Sequence, residues 1–235
     1  MTYPVNHYGD EFRQAVSGHG IDVASQRADD LDDRALDWVK KLVCEGIRPT
    51  ALDAACGLGG QSIRLAQAGA TVTALDYADL AAKVDALAEQ ANVSDRLTYV
   101  RADLRSLTAT LTPLFFNVIC CQRAIHYLRW AEAKDTVQQL ASLLAPGGKL
   151  FISASGLASE LGDGYPARTC TPENRFAPLA DNMVHKHGIA GDVCLYDTDD
   201  LECMLVTAGL AVETVYTSPF GNVKGVAKRL PSWPT

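Results

Sequence analysis

The chain has 235 residues, 48% of them apolar and 21% charged, with a formal charge of −7 at pH 7. That is enough apolar chain for one packed domain with room for a modest lid. The acidic balance argues against a surface shaped for a nucleic-acid backbone, and the basic tail residues Lys224, Lys228 and Arg229 read as a solvated end. The start, MTYPVNHYGDEF, lacks the basic stretch and apolar run of a secretory signal, and no apolar run approaches membrane-spanning length. Seven cysteines without a C-x-x-C pair argue against a disulfide framework or zinc ribbon, so reduced thiols in a cytoplasmic protein are expected.

In chain order, Leu31, Ala35, Trp38, Val39 and Leu42 recur at helical spacing. Asp29, Asp30, Asp32 and Asp33 suit the positive end of that helix, and Gly46 and Pro49 follow it. A β–α alternation then begins. Ala51–Asp53 is a short strand, followed by a glycine-rich turn and a helix from Ser62 to Ala68. Thr71–Asp76 is a strand, Leu80 to Ala91 a helix and Leu97–Arg101 a strand. The continuous apolar run Phe115–Cys121 suits a strand covered on both faces. Trp130 to Leu144 is helical, Ala145-Pro146-Gly147-Gly148 stops it, and Lys149–Ser153 is the next strand. Gly156 to Tyr196 breaks the rhythm, which marks a functional or mobile stretch. A helix capped by Asp197 or Thr198 runs to Ala208, and Leu210–Thr217 and Asn222–Lys228 form an antiparallel pair across a tight turn. The alternation predicts an α/β fold, a doubly wound parallel sheet with helices on both faces.

The stretch TALDAACGLGGQSIRLAQAG, residues 50–69, places glycines between the first strand and a helix. Such a turn lets backbone approach a ligand, and the helix N-terminus offers N–H donors and partial positive charge. Asp76 lies about 20 residues on, at the end of the second strand, where a carboxylate reaches the two hydroxyls of a ribose. A dinucleotide fingerprint needs a third glycine where this chain has Ser62, and no Gly-Lys-Ser/Thr follows for a phosphate loop.

LDAACGLGG resembles the first motif of the class I S-adenosylmethionine-dependent methyltransferases. ALDYAD resembles their second, RADLRSL the third, FFNVICCQRAIHYL the fourth, and LLAPGGKLFIS the approach to the fifth strand. The resemblance covers about Thr50 to Ser153 plus the closing helix and hairpin. It implies a Rossmann-like, doubly wound seven-stranded sheet with the last strand antiparallel, in a single methyltransferase domain. The expected parts are an N-terminal helical cap (1–48), a cofactor-binding core (49–154), a substrate-lid insertion (155–196) and a closing helix and hairpin (197–230). Two positions depart from the family pattern. Ala55 replaces the usual first glycine, tolerable if its φ is negative. Asn117 replaces a commoner aspartate.

The resemblance also implies roles. Gly57, Leu58 and Gly59 would pass beneath the methionine part of the cofactor, and Asp53 would meet its amino group. Asp76 would hold the ribose and Tyr77 would pack on the adenine. Asp103 and Leu104 would take the adenine edge. Cys121 and Gln122 would contact the methionine moiety. Arg13 or Arg27 is a candidate clamp for its carboxylate.

His126 is expected either as a general base toward the acceptor or as a histidine packing beneath the cofactor. Tyr127, Arg123, Tyr165, His185 and His187 are expected to line the acceptor pocket; Tyr165, Phe176 and Tyr196 either add aromatic lining there or pack the insertion onto the sheet edge. Tyr3, His7, Tyr8 and Phe12 form either an N-terminal lid or a cap on the core. The His185-Lys186-His187 run shows no convergence with Cys170 or Cys194, so no metal is expected.

The activity so implied is methyl transfer from S-adenosylmethionine to a small molecule by in-line displacement, with S-adenosylhomocysteine as product. Alternatives are a protein or peptide methyltransferase and a non-catalytic cofactor-binding sensor or assembly domain. A nicotinamide oxidoreductase is disfavoured by Ser62. No nucleic-acid or membrane partner is expected, and neither acceptor nor oligomeric state is written in the chain.

Overall fold

The computed structural model describes residues 9–112 and 114–231. Tyr3, His7 and Tyr8 lie outside them. Helix α1 (Asp30–Cys44) opens on a reciprocal capping box between Asp29 and Asp32, and it buries Leu31, Ala35, Val39 and Leu42 as its periodicity predicts. Seven strands follow: β1 (Thr50–Ala54), β2 (Thr71–Asp76), β3 (Leu97–Arg101), β4 (Phe116–Gln122), β5 (Leu144–Ala154), β6 (Ala211–Thr217) and β7 (Val223–Lys228). The helices among them are α2 (Gly60–Gln67), α3 (Ala81–Gln90), α4 (Leu107–Leu111), α5 (Trp130–Leu143), α6 (Asp181–His187) and α7 (Thr198–Thr207). No helix among the described residues is long and apolar enough to cross a membrane.

The strand order is β3-β2-β1-β4-β5-β7-β6, and β7 is antiparallel to both its neighbours. The other neighbouring pairs, β1–β2, β2–β3, β1–β4 and β4–β5, are parallel. The order reverses between β1 and β4, and the carboxyl ends of strands at such a switch point are where a doubly wound sheet opens a crevice.

Alternation along β4 shows why both faces are apolar. Val118 and Cys120 join α1, α2 and α3 in one buried cluster, while Ile119 and Cys121 join α5 and α7 in the other. Asn117, at the departing position, receives the Thr50 backbone N–H on its Oδ1 at 2.9 Å and so ties β4 to the start of β1. The segment Ala145–Gly148 is part of β5, beside an irregularity in the β4 register.

The aperiodic stretch after β5 builds a third, smaller core from Leu161, Tyr165, Leu179, Met183, Ile189, Val193 and Leu195. It contains α6, which the sequence pattern does not predict. The segment from Gly18 to Gly20 pairs with the chain around Ile189: Gly20 N–H donates to Gly188 O at 3.1 Å, and Ala190 N–H donates to Gly18 O at 3.0 Å. The N-terminal segment and the insertion are thereby joined above the strand ends.

Lys224 is not solvated. It is 3% exposed, with its ammonium 2.7 Å from Asp29 and also paired to Asp30, because β7 runs beside the acidic start of α1.

Candidate functional site

A cavity of about 950 Å³ lies over the carboxyl ends of β1, β2, β4 and β5, beneath the N-terminal segment and the insertion. That is at the upper end of the size expected for a small-molecule site. Eleven of the residues expected from sequence line it: Arg27, Gly57, Asp76, Tyr77, Asp103, Leu104, Gln122, Arg123, His126, Tyr127 and His187.

The glycine turn explains itself locally. Gly57 and Gly59 have φ of 55° and 79°, in the left-handed region. Ala55 also lies there, at φ 60°, so the expectation of a negative φ does not hold. The turn is held by the Cys56 N–H donating to Leu75 O at 2.9 Å, and alanine carries the strain. Gly60 has a different neighbour: a Cβ there would stand 2.4 Å from Ala24 O and from Ser25 Cα. Part of what the glycines admit is therefore the protein's own N-terminal segment. Asp22 of that segment accepts the Leu58 N–H at 3.2 Å.

Asp76 ends β2 with its carboxylate in the cavity, 7% exposed. One oxygen accepts the Gly57 N–H and the other the Ala78 N–H, each at 3.1 Å. These bonds fix the carboxylate against the turn, and no positive side chain is bonded to it among the described residues. Tyr77 is 47% exposed and meets the ring of His19, whose centroid is 5.6 Å away. The His19 ring also meets that of Tyr127, tilted, at 5.0 Å, and the Tyr127 hydroxyl donates to His19 O at 2.7 Å. Asp103 accepts from the Arg105 backbone N–H at 2.8 Å and from its Nε at 3.0 Å, which holds its carboxyl below the usual range. Gln122 donates to the buried Asp32. Arg123 sits at φ 49°, and its N–H donates to Ser153 O at 2.9 Å. Such a sparsely populated conformation at a cavity edge persists only where surrounding structure holds it.

Six of the expected residues stand outside the lining. Asp53 is buried under the turn and accepts the Ser62 hydroxyl at 2.6 Å. Burial, with Asp32 nearby, pushes its carboxyl up to about 7. Leu58 and Gly59 present backbone to the N-terminal segment and to α2. Cys121 points into the α5 side of the sheet, where burial pushes its thiol up to about 12. Strand alternation, which turns Cys121 away from the neighbouring side chains, excludes it from the cavity. Tyr165 belongs to the insertion's core, its hydroxyl donating to Val193 O at 2.6 Å and to Arg175 O. His185 is exposed and bonded to Asp181 O at 2.6 Å. It lies two positions from His187 on α6, a spacing that points side chains apart on a helix.

Of the other candidates, Tyr196 is fully buried beside Trp130, and Phe176 packs under Arg129. Arg13 pairs with Glu11, whereas Arg27 lines the cavity and pairs with Asp10 at 2.8 Å. Phe12 packs near Gly188.

His126 lines the cavity but is 2% exposed, and its Nδ1 faces the Ser155 N–H at 3.5 Å. Burial, with Arg123 and His19 nearby, pushes its imidazole down to about 3. That environment lowers the ring's basicity, which works against the base role and suits the packing one.

Several lining residues escape sequence reasoning. Asp22, His19, Glu160, Ser155 and Lys224 reach the cavity only through tertiary contacts. The one available signal is the Gly18-His19-Gly20 triplet, whose glycines flank the histidine that contacts Tyr77 and Tyr127. Among the described residues no group of three or more His, Cys, Asp or Glu is arranged to hold a metal ion.

Comparison with known proteins agrees with this architecture. Residues 51–148 match the family described as "Methyltransferase domain". The ubiquinone biosynthesis O-methyltransferase of Leptothrix cholodnii is 29% identical over 120 residues, covering 50% of this chain and 49% of that protein. The chain thus spans about half the length of the curated relatives it matches. An O-methyltransferase family protein from Burkholderia thailandensis superposes with a TM-score of 0.61 at 18% identity, over 86% of this chain and 57% of that one. Magnesium protoporphyrin IX methyltransferase from Synechocystis PCC 6803, solved with bound SAH, gives 0.60 at 20% identity, over 84% of this chain and 82% of that one. Over residues 51–148 the chain is thus similar to methyltransferase domains, and the matched motifs lie in register along this sheet.

Proposed function

We propose that the protein binds S-adenosylmethionine in the cavity and transfers its methyl group to a small-molecule acceptor, with oxygen the favoured acceptor atom. The observation that carries this reading is Asp76: a buried carboxylate at the end of β2, braced by two backbone N–H groups and facing the cavity beside a left-handed glycine turn. The donor set fits the cofactor. Asp76 is placed for two ribose hydroxyls, and Tyr77 offers an aromatic face beside it for the adenine. Asp103 and Leu104 flank the same end. The backbone from Ala55 to Gly57 forms the wall along which a methionine moiety would run. Arg27, already on Asp10, is the nearer of the two expected clamps for its carboxylate. The solved relative with bound SAH and the relatives named as O-methyltransferases support both cofactor and acceptor atom.

When bound, the cofactor supplies an activated methyl group on a sulfonium. The protein's own task is to hold the acceptor in line with it and to exclude water, which is worth roughly 7–11 kcal/mol. The joined N-terminal segment and insertion suit that task, and their closure over the site favours a small acceptor over a protein one. Tyr127, Arg123 and His187 face the same cavity and are the proposed acceptor contacts. His126 is proposed to pack beneath the reacting groups as a neutral ring.

Isothermal titration with S-adenosylmethionine, S-adenosylhomocysteine and NADH tests the reading. Saturable binding of the first two, and none of NADH, is expected. Binding of NADH alone would overturn it. Transfer of labelled methyl to a panel of small hydroxylated compounds separates an enzyme from a sensor.

A further inference from the structure

Four arginine or lysine residues line the cavity among the described residues, and three of them are engaged. Arg27 pairs with Asp10, Arg105 with Asp103 and Glu132, and Lys224 with Asp29 and Asp30. Arg123 is the fourth. Its guanidinium makes no hydrogen bond or ion pair with any described residue. Its charge is felt by Asp32, His126 and Tyr127, three other residues of the lining, which places it among them. Asp32, the carboxylate of that set, is occupied: it accepts the Gln122 amide and the Asp29 N–H.

The backbone fixes where this side chain begins. Arg123 follows the last residue of β4, and its N–H donates to Ser153 O at 2.9 Å and to Ser153 Oγ at 3.1 Å. Ser153 is itself held in the sheet between Gln122 and Lys224. At φ 49° Arg123 lies where a long side chain is uncommon. Glycine or asparagine would make that turn at less cost, so the turn alone gives no reason for arginine.

We propose that Arg123 is the carboxylate receptor of the acceptor site, so that the acceptor is a hydroxylated organic acid bound as a monoanion. The proposal rests on the cofactor reading above. The planar fork of a guanidinium matches a carboxylate with two parallel bonds. A half-buried cation without a counter-charge gains strongly from such a partner, because the surrounding dielectric is lower than that of water. A phosphate dianion fits less well. A single unengaged guanidinium is on offer, and the lining also carries the carboxylates of Asp22, Asp29, Asp30 and Asp32. The cofactor's own carboxylate is the other source of the same chemistry, and the test separates the two.

The test uses the full chain and its Arg123→Gln and Arg123→Lys variants. Each is titrated calorimetrically, at saturating S-adenosylhomocysteine, with hydroxybenzoate, hydroxyphenylacetate and hydroxyphenylpropionate and with the matching amides. The wild type should bind at least one acid about 30-fold more tightly than its amide. In Arg123→Gln that preference should shrink to within about 3-fold, through lost affinity for the acid and not for the amide. Arg123→Lys should keep part of it, since lysine holds the charge without the fork. A second ligand pair identifies the carboxylate. S-adenosylhomocysteine carries one and methylthioadenosine does not, and the ratio of their affinities should be the same in wild type and Arg123→Gln. Methylthioadenosine binding also reports that each variant is folded. A ratio that collapses in Arg123→Gln would assign the guanidinium to the cofactor and overturn the proposal. Equal binding of every acid and its amide by the wild type, or an undiminished preference in Arg123→Gln, would overturn it too. These outcomes, with S-adenosylhomocysteine still bound by the wild type, leave the cofactor reading standing; a wild type that does not bind it removes that reading and the proposal with it.

Discussion

Replacing Asp53 with asparagine should make the cofactor-free protein more stable at mildly alkaline pH. The carboxyl is buried, with the Ser62 hydroxyl as its bonded partner, and burial lifts it from 3.8 to about 7. In the unfolded chain it ionises near its ordinary value. Between about pH 4 and pH 7 the unfolded state therefore releases a proton that the native state keeps, so stability falls as pH rises. At about 1.4 kcal/mol per pH unit, the window from 3.8 to about 7 amounts to about 4 kcal/mol. The amide in the Asp53→Asn variant cannot ionise and escapes that cost, but its NH2 brings two donors into a buried site whose bonded partner is the Ser62 hydroxyl, which costs about 1–3 kcal/mol. The expected net gain at about pH 8 is about 2 kcal/mol, or about 4–8 °C in melting temperature for a chain of this length. At about pH 4 the gain should vanish or reverse. Urea or thermal melts of both proteins across that range provide the assay. Asp32, whose carboxyl burial also raises, contributes a slope common to both proteins. Parallel pH profiles, or a variant less stable than the wild type at about pH 8, would refute the reasoning.

Three further outcomes are expected. Asp76→Asn removes the charge facing the proposed ribose and should weaken S-adenosylhomocysteine binding about 30-fold by calorimetry, about 2 kcal/mol. Tyr165→Phe takes the buried hydroxyl away from the Arg175 carbonyl and from the Val193 carbonyl, of which the latter keeps the Ala177 N–H. It should cost about 2 kcal/mol in urea melts and leave cofactor binding unchanged, as a core residue would. Ala55→Gly relieves a left-handed alanine and should raise stability by about 1 kcal/mol, seen as a melting temperature about 2–4 °C higher.

The parts of the fold that depend on local pattern are legible in the sequence. The apolar run of β4, the acidic start of α1 and the alternation from Thr50 to Ser153 each follow from neighbours within a turn or a strand, and the structure repeats them. So is Asp76, because strand, glycine turn and carboxylate keep a fixed spacing in this architecture. What stays illegible depends on chain brought from afar. The insertion has no period to read because its core is assembled from short pieces, closed by bonds such as Tyr165 to Val193. Scattered aromatics there look like a pocket lining, yet Tyr165 and Tyr196 serve packing. Gly60 looks like part of a ligand turn, while its close neighbour is Ala24, 36 residues earlier. Lys224 looks like a tail charge, but β7 carries it to the N-terminus of α1. His126 follows the fourth strand where a base could stand, and only the three-dimensional burial around it shows the ring's basicity lowered.

The most direct test of the central claim is a crystal structure of the protein grown or soaked with S-adenosylhomocysteine. The nucleoside is expected along the carboxyl ends of β1, β2 and β4, with both ribose hydroxyls donating to Asp76 and the adenine against Tyr77. A nucleoside bound elsewhere, or with its ribose turned away from Asp76, would contradict it.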